Sequence, residues 1–348
     1  MATAVLVRGS PEMSRTDPVV VLGAGDVAAR VARELLTAGH ENLLLVTPGE
    51  DRVAILSEAF GEEAEVVLGD GVSQTIPEGA LVVSTGCAQQ QLMAAEPAIR
   101  RGNDLIVVTD DPEVLEHLMC LDDAASAAGV RVLIGAAMSP GLSCLMASFG
   151  AGWFDVVDEV HVARVGDCGA NGGTGSRGRH RRSPRQWREG EWRRSAPGSG
   201  GELLWFPDPV GARECYVVDS GELTLLGRRF PDLRRAVVRK AMSRGGRLVS
   251  ALPSVVSEPA RGLLDGRDPI AAVRVDLRGS RDGARHSVVL GVIDLPTMAT
   301  GVLVADAVGR LATLEPGVRT MGDLSDPGEV LAALRERGIR IAVAGDVG

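Results

Sequence analysis

The chain has 348 residues, 45% hydrophobic and 24% charged, with a formal net charge of −9. That length suits two domains with ordinary cores, and the acidity argues against nucleic acid as a partner. No segment reaches the ~20 apolar residues of a membrane helix, and Met1 to Val7 lacks the basic start of a signal peptide, so the expectation is a cytoplasmic protein with no membrane partner and with residues 1–17 as a flexible leader.

In chain order, Val19 to Leu22 is a continuous apolar run, as in a strand buried on both faces. Gly23-Ala-Gly-Asp-Val-Ala28 follows, then Val27, Val31, Leu35 and Leu36 at helical spacing up to Gly39. Leu43 to Val46 reads as a strand, Arg52 to Phe60 as a helix, and Glu65 to Leu68 and Leu81 to Ser84 as strands. Gln89 to Arg101 reads as a helix, Leu105 to Thr109 as a strand, Pro112 to Ala128 as a helix and Val130 to Ile134 as a strand. Strands spaced by helices over residues 18–141 predict a Rossmann-type doubly wound parallel sheet.

The pattern changes after Ser139-Pro140-Gly141. A helix is expected from Leu142 to Phe154, then alternating stretches at Glu159 to Val165, Glu214 to Val218, Val273 to Leu277 and Ser287 to Val292. These suit a mostly antiparallel sheet with one covered face. A Gly- and Arg-rich loop fills Gly166 to Gly201, and Phe230 to Met242 reads as a helix. Residues 142–296 are therefore expected to form an α+β domain for substrate and dimerisation. An apolar helix from Thr297 to Leu311, a helix from Asp326 to Arg337 and a short strand from Ile339 to Val343 make up 297–348. The fold class is α/β, a Rossmann sheet with a second α+β domain, and a homodimer is expected.

Gly23-x-Gly25-x-x-Ala28 sits between strand and helix, where a dinucleotide needs it. Gly23 permits the tight turn, Gly25 lets the backbone approach a pyrophosphate, and small Ala28 lets the helix pack on the sheet. Asp26 and Val27 open that helix, whose free N–H groups favour an anion. An NAD site usually has an acid at the end of the second strand, but here the strand ends at Thr47, with Arg52 nearby among Glu50 and Asp51. NADP(H) is the expected cofactor, with NAD(H) as the alternative. Asp70 reads either as an adenine-side contact or as a turn former. Ser84, Thr85 and Gly86 end the fourth strand at the carboxyl edge, where ligands bind in such sheets.

Other chemistries are excluded. Lys240 is the only lysine and Tyr216 the only tyrosine, so neither a P-loop nor a Tyr-xxx-Lys pair exists in the sequence. The five cysteines include no CxxC pair, and no metal site is expected. Cys87, Cys120 and Cys144 are expected to pack as small buried hydrophobes.

The sequence resembles the saccharopine dehydrogenase-like (saccharopine reductase-like) family. The resemblance is carried in order by Val19 to Ala28, Val107-Val-Thr-Asp-Asp111, Ala127 to Leu142 with its Ser-Pro-Gly, Gly172-Gly-Thr-Gly-Ser176, and Ala299-Thr-Gly301 after Gly291 to Pro296. It implies that the late helix returns to the Rossmann domain. It also implies hydride transfer between a nicotinamide and an amino-acid-like substrate, often at a C–N or C=N centre, with Pro140, Gly141, Thr174 and Ser176 on the substrate side.

Three residues are candidates for moving a proton. Asp110 ends a strand on the cofactor side, while Asp111 before Pro112 reads as a helix cap. His161 lies on an alternating strand, on the opposite face from Arg164, and reads equally as a structural histidine. His180 lies in the Arg-rich loop. That loop, with Arg179 among its arginines, reads as a grip on an anionic small molecule or as a solvated lid. A non-catalytic NADP(H)-sensing regulator is the competing function.

Overall fold

The computed structural model describes residues 15–69, 76–169, 183–196, 198–241 and 270–345. The first part alternates strands and helices: β1 (Val19–Leu22), α1 (Asp26–Thr37), β2 (Leu43–Thr47), α2 (Glu50–Phe60), β3 (Glu65–Leu68), β4 (Leu81–Ser84), α3 (Ala88–Arg100), β5 (Leu105–Val107), α4 (Pro112–Met119), α5 (Asp122–Ala127) and β6 (Arg131–Ile134). β1, β4 and β5 are buried along their whole length, which is why they read as unbroken Val, Leu and Ile runs.

The segment Pro112 to Ala128 is two helices, not one. Asp111 caps the first by accepting the Glu113 amide at 2.9 Å. The chain then breaks so that Asp122 can accept the Val318 amide at 2.8 Å and the Arg228 guanidinium at 2.9 Å. Contacts from residues about 100 and 200 positions away (orders of distance no local pattern carries) redirect this helix.

The second part runs α6 (Leu142–Ala151), β7 (Val156–Val165), β8 (Arg185–Arg188), β9 (Glu191–Arg194), β10 (Glu202–Phe206), β11 (Gly211–Val217), α7 (Glu222–Arg229), β12 (Arg235–Ala241), β13 (Ala271–Arg281) and β14 (Ala284–Asp294). Two expectations are corrected here. Phe230 to Met242 is not a helix: β-branched Val237 and Val238 sit in β12, paired on one side to β7 and on the other to β11. The loop Gly166 to Gly201 contains a hairpin, β8–β9. It turns at Glu189-Gly190, both with positive φ, and is closed by Trp187 across from Trp192 with ring centroids 5.3 Å apart.

The chain closes with α8 (Pro296–Arg310), β15 (Gly317–Thr320), α9 (Pro327–Glu336) and β16 (Arg340–Gly345). The first sheet is parallel in the order β15-β6-β5-β4-β1-β2-β3. The second runs β10-β11-β12-β7-β13-β14-β16, antiparallel except for the β12–β7 pair, with β8 also paired to β12. The tail thus gives β15 to one sheet and β16 to the other. Helix α8 packs on α1 so tightly that a Cβ on Gly301 would stand 2.6 Å from Arg30 Cγ. One hydrophobic core links residues of both sheets, from Val19 to Val275 and Leu290. No helix among the described residues is long and apolar enough to cross a membrane.

Candidate active site

The carboxyl edge of the first sheet is built around Gly23. Its φ of 145° is open to glycine, and a Cβ there would collide with Thr85 Oγ1 at 2.1 Å. Thr85 ties the ends of β1 and β4 together: its amide and its hydroxyl both donate to the Leu22 carbonyl, at 2.8 and 3.0 Å. Gly25 is the N-cap of α1, without a side-chain cap, and nothing lies within 4 Å of the point where its Cβ would stand. Open space therefore faces the free N–H groups of the helix. Ala28 is buried against the sheet, while Asp26 and Arg52 are exposed and Val27 is half-buried.

The cleft in front of this turn is lined by Leu22, Gly23, Val46, Pro48, Ser84 and Gly86. Thr47 Oγ1, at the end of β2, is buried and has no hydrogen-bond partner among the described residues. Bare backbone, uncapped N–H groups and an unsatisfied hydroxyl together fit a bound dinucleotide.

At the turn after β6 lies a second cluster. After β6 the chain folds back through Ser139 and Pro140, joined by a cis peptide bond. Gly141 has φ 136°, and a Cβ there would overlap the Ala137 carbonyl at 2.1 Å. Beneath this turn Glu222, the first residue of α7, is fully buried. Its carboxylate accepts the Ser139 hydroxyl at 2.9 Å and, on the other oxygen, the Ser143 hydroxyl. Burial raises the Glu222 pKa; Arg164 and the two serines oppose this, and Asp110 adds to it.

The inner face of the second sheet completes the cluster. Tyr216 pairs with Lys240 across β11 and β12, and Lys240 pairs with Arg164 across β12 and β7. The sole tyrosine, the sole lysine and a buried arginine therefore stand side by side. Lys240 Nζ is 3.0 Å from Asp167 Oδ1. Cys168 follows, its thiol pushed up to about 12 by burial despite the nearby Arg164 and Lys240 charges. Its carbonyl accepts the Ser139 amide at 3.1 Å, which ties the turn after β6 to the end of β7. Asp110 reaches the same place, since a Cβ on Gly169 would stand 2.3 Å from Asp110 Oδ2.

Of the residues expected from sequence, Gly23, Gly25, Ala28, Thr47, Ser84, Thr85 and Gly86 gather at one edge, and Asp110, Pro140 and Gly141 face the second cluster. His161 does not join them. It lies on the other face of β7, where burial and then Arg235, Arg278 and Arg239 push its pKa down to about 3. The Glu159 carboxylate is 3.0 Å from its Nε2, yet neither atom makes an aligned hydrogen bond. Burial, reinforced by the three guanidinium groups, outweighs the carboxylate, and the imidazole is neutral. Asp70, Thr174, Ser176, Arg179 and His180 lie outside the described residues. Cys87 and Cys120 are exposed rather than buried, while Cys144 is buried as expected.

Sequence reading missed Glu222, Arg164, Lys240 and Tyr216 as neighbours. The single Lys and single Tyr stood out by composition, but the expected helix at Phe230 to Met242 hid the strand that pairs them.

No family model matches the chain. Its structure matches that of saccharopine dehydrogenase (L-Glu forming) from Saccharomyces cerevisiae, with a TM-score of 0.67 over 94% of this chain and 99% of that one, at 14% identity. The chain has the saccharopine dehydrogenase fold. The family resemblance read from Val19 to Ala28 and from Ser139-Pro140-Gly141 agrees with that architecture. A shikimate dehydrogenase (NADP(+)) from Afipia carboxidovorans is 32% identical over 106 residues. That match takes in 28% of this chain and 38% of the Afipia protein's length.

Proposed function

We propose that the protein is an NADP(H)-dependent oxidoreductase acting on an amino-acid-derived, carboxylate-bearing small molecule at a C–N or C=N centre. The observation that carries this is the open, uncapped N-terminus of α1 at Gly25, at the carboxyl edge of the parallel sheet. A nicotinamide, when bound, supplies hydride chemistry.

The chain's own residues do the rest. Gly23 and Gly25 admit the pyrophosphate, the α1 amides bind it, and Thr47 gives its free hydroxyl to the ribose side. Thr85 holds the floor of the cleft. Asp110, on the substrate side, takes the proton released when the substrate's nitrogen-bearing carbon is oxidised, or returns it in reduction. NADP over NAD is supported by the lack of an acid at the end of β2 and by Arg52 in the first turn of α2.

The test is calorimetric titration with NADPH and NADH, followed by nicotinamide absorbance with a panel of keto acids and amines. NADPH binding at least about tenfold tighter than NADH binding, with turnover of a carboxylate substrate, is expected. Tight NADPH binding with no oxidation across the panel would mark a sensor instead. Absence of binding by either nucleotide would remove the foundation of both.

A further inference from the structure

Asp110 is half-buried at the carboxyl end of β5, and its carboxylate rests on the backbone of Gly169. A Cβ at Gly169 would stand 2.6 Å from Asp110 Cγ and nearer still to Oδ2. Any side chain there would push the carboxylate off that backbone. The φ of Gly169 is not left-handed, so the turn itself does not require glycine. The bare Cα serves its neighbour.

The backbone under Asp110 is itself pinned. The Cys168 thiol donates to the Val165 carbonyl at 3.3 Å, and the Cys168 carbonyl accepts the Ser139 amide at 3.1 Å. The Ser139 hydroxyl donates to one oxygen of Glu222 at 2.9 Å. The other oxygen takes the Ser143 hydroxyl at the start of α6. A continuous line of contacts therefore runs from Glu222 through Ser139, Cys168 and Gly169 to Asp110. Glu222 is fully buried, within electrostatic reach of both Arg164 and Asp110. A carboxyl taken out of water adds little net stability even with good partners. What it supplies is a fixed place for the groups bonded to it.

We infer that Gly169 and Glu222 are positioning residues for Asp110. Gly169 leaves the space that the carboxylate occupies. Glu222, through Ser139, fixes the backbone on which the carboxylate lies. This rests on the reading of Asp110 as the group that moves the proton, and a misplacement of about 1 Å in such a group costs up to about 100-fold in rate.

The full chain, with isotopically labelled Asp carboxyl carbons, is read by NMR, the Asp110 signal being the one lost in Asp110→Asn. Gly169→Ala and Ser139→Ala are expected to move that signal. Ser143→Ala removes a bond to the same Glu222 carboxylate but leads into α6. It is expected to lower the melting temperature as Ser139→Ala does and to leave the Asp110 signal in place. With NADPH and the panel of keto acids and amines, Gly169→Ala is expected to lower kcat at least about tenfold, with KM and NADPH affinity within about threefold of the parent. An Asp110 signal unmoved in both Gly169→Ala and Ser139→Ala overturns the assignment. So does an equal displacement in Ser143→Ala, which would make the cluster structural only. So does a parent-like kcat in Gly169→Ala. A parent that turns over nothing in the panel sinks the oxidoreductase reading instead, and the carboxyl signals then decide the positioning by themselves.

Discussion

At Gly23 and Gly25, two residues apart, the same substitution has opposite meanings. Gly25 sits at φ −90° and ψ 178°, which any residue adopts, and its Cβ would point into open space. Gly25→Val is therefore expected to fold, at a cost of about 1 kcal/mol or less for the N-cap change, while NADPH affinity drops at least about tenfold. Gly23→Ala places a methyl on Thr85 Oγ1 in a left-handed conformation and is expected to cost about 2 kcal/mol or more in a urea melt. A Gly25→Val variant with full NADPH affinity would refute the cradle.

His161 is the residue-scale case where electrostatics decide. Its pKa falls from 6.5 to about 3, so below pH 6.5 the unfolded chain takes a proton that the folded chain refuses. The stability is full above 6.5 and is lost as pH falls toward 3, at about 1.4 kcal/mol per pH unit. Between pH 7 and 5 the parent is expected to lose about 2 kcal/mol more than His161→Gln. Parallel losses in the two proteins would contradict the burial argument.

At the scale of elements, the pivotal join is between α7 and the turn after β6. Glu222 links them through Ser139 and Ser143. Burial raises its pKa above the ordinary 4.5, so the folded chain holds a proton that the unfolded chain has released. Its contribution is full below 4.5 and declines as pH rises through the window up to the raised value. Glu222→Gln cannot ionise and keeps a hydrogen-bonding head. Its melting temperature is expected to stay flatter than the parent's as pH rises above 4.5, and a steeper decline in the variant would reverse the sign argued here.

The elements also show where sequence reading holds. β1, β4 and β5 were legible because a strand buried on both faces needs an unbroken apolar run, as Val19 to Leu22 shows. Hairpin β8–β9 and strand β12 were not. Arg185 to Arg188 and Arg235 to Ala241 interleave charges with apolar residues, and only pairing with neighbours makes them strands.

For the whole molecule, the tail joins what the sequence order separates. β15 completes the first sheet, β16 the second, and α8 lies on α1. With one continuous core across both sheets, the protein is expected to unfold in a single calorimetric transition, with van't Hoff and calorimetric enthalpies in a ratio of about 1. Two resolved peaks would show that the domains melt independently.

The proposed nucleotide cradle was legible in sequence alone, because its turn, its bare backbone and its helix start all lie within six consecutive residues, Gly23 to Ala28. The buried polar cluster around Glu222 was decided only by tertiary structure. Tyr216, Lys240 and Arg164 meet through strand register, and a shift of one residue in that register would turn each of them to the other face of the sheet.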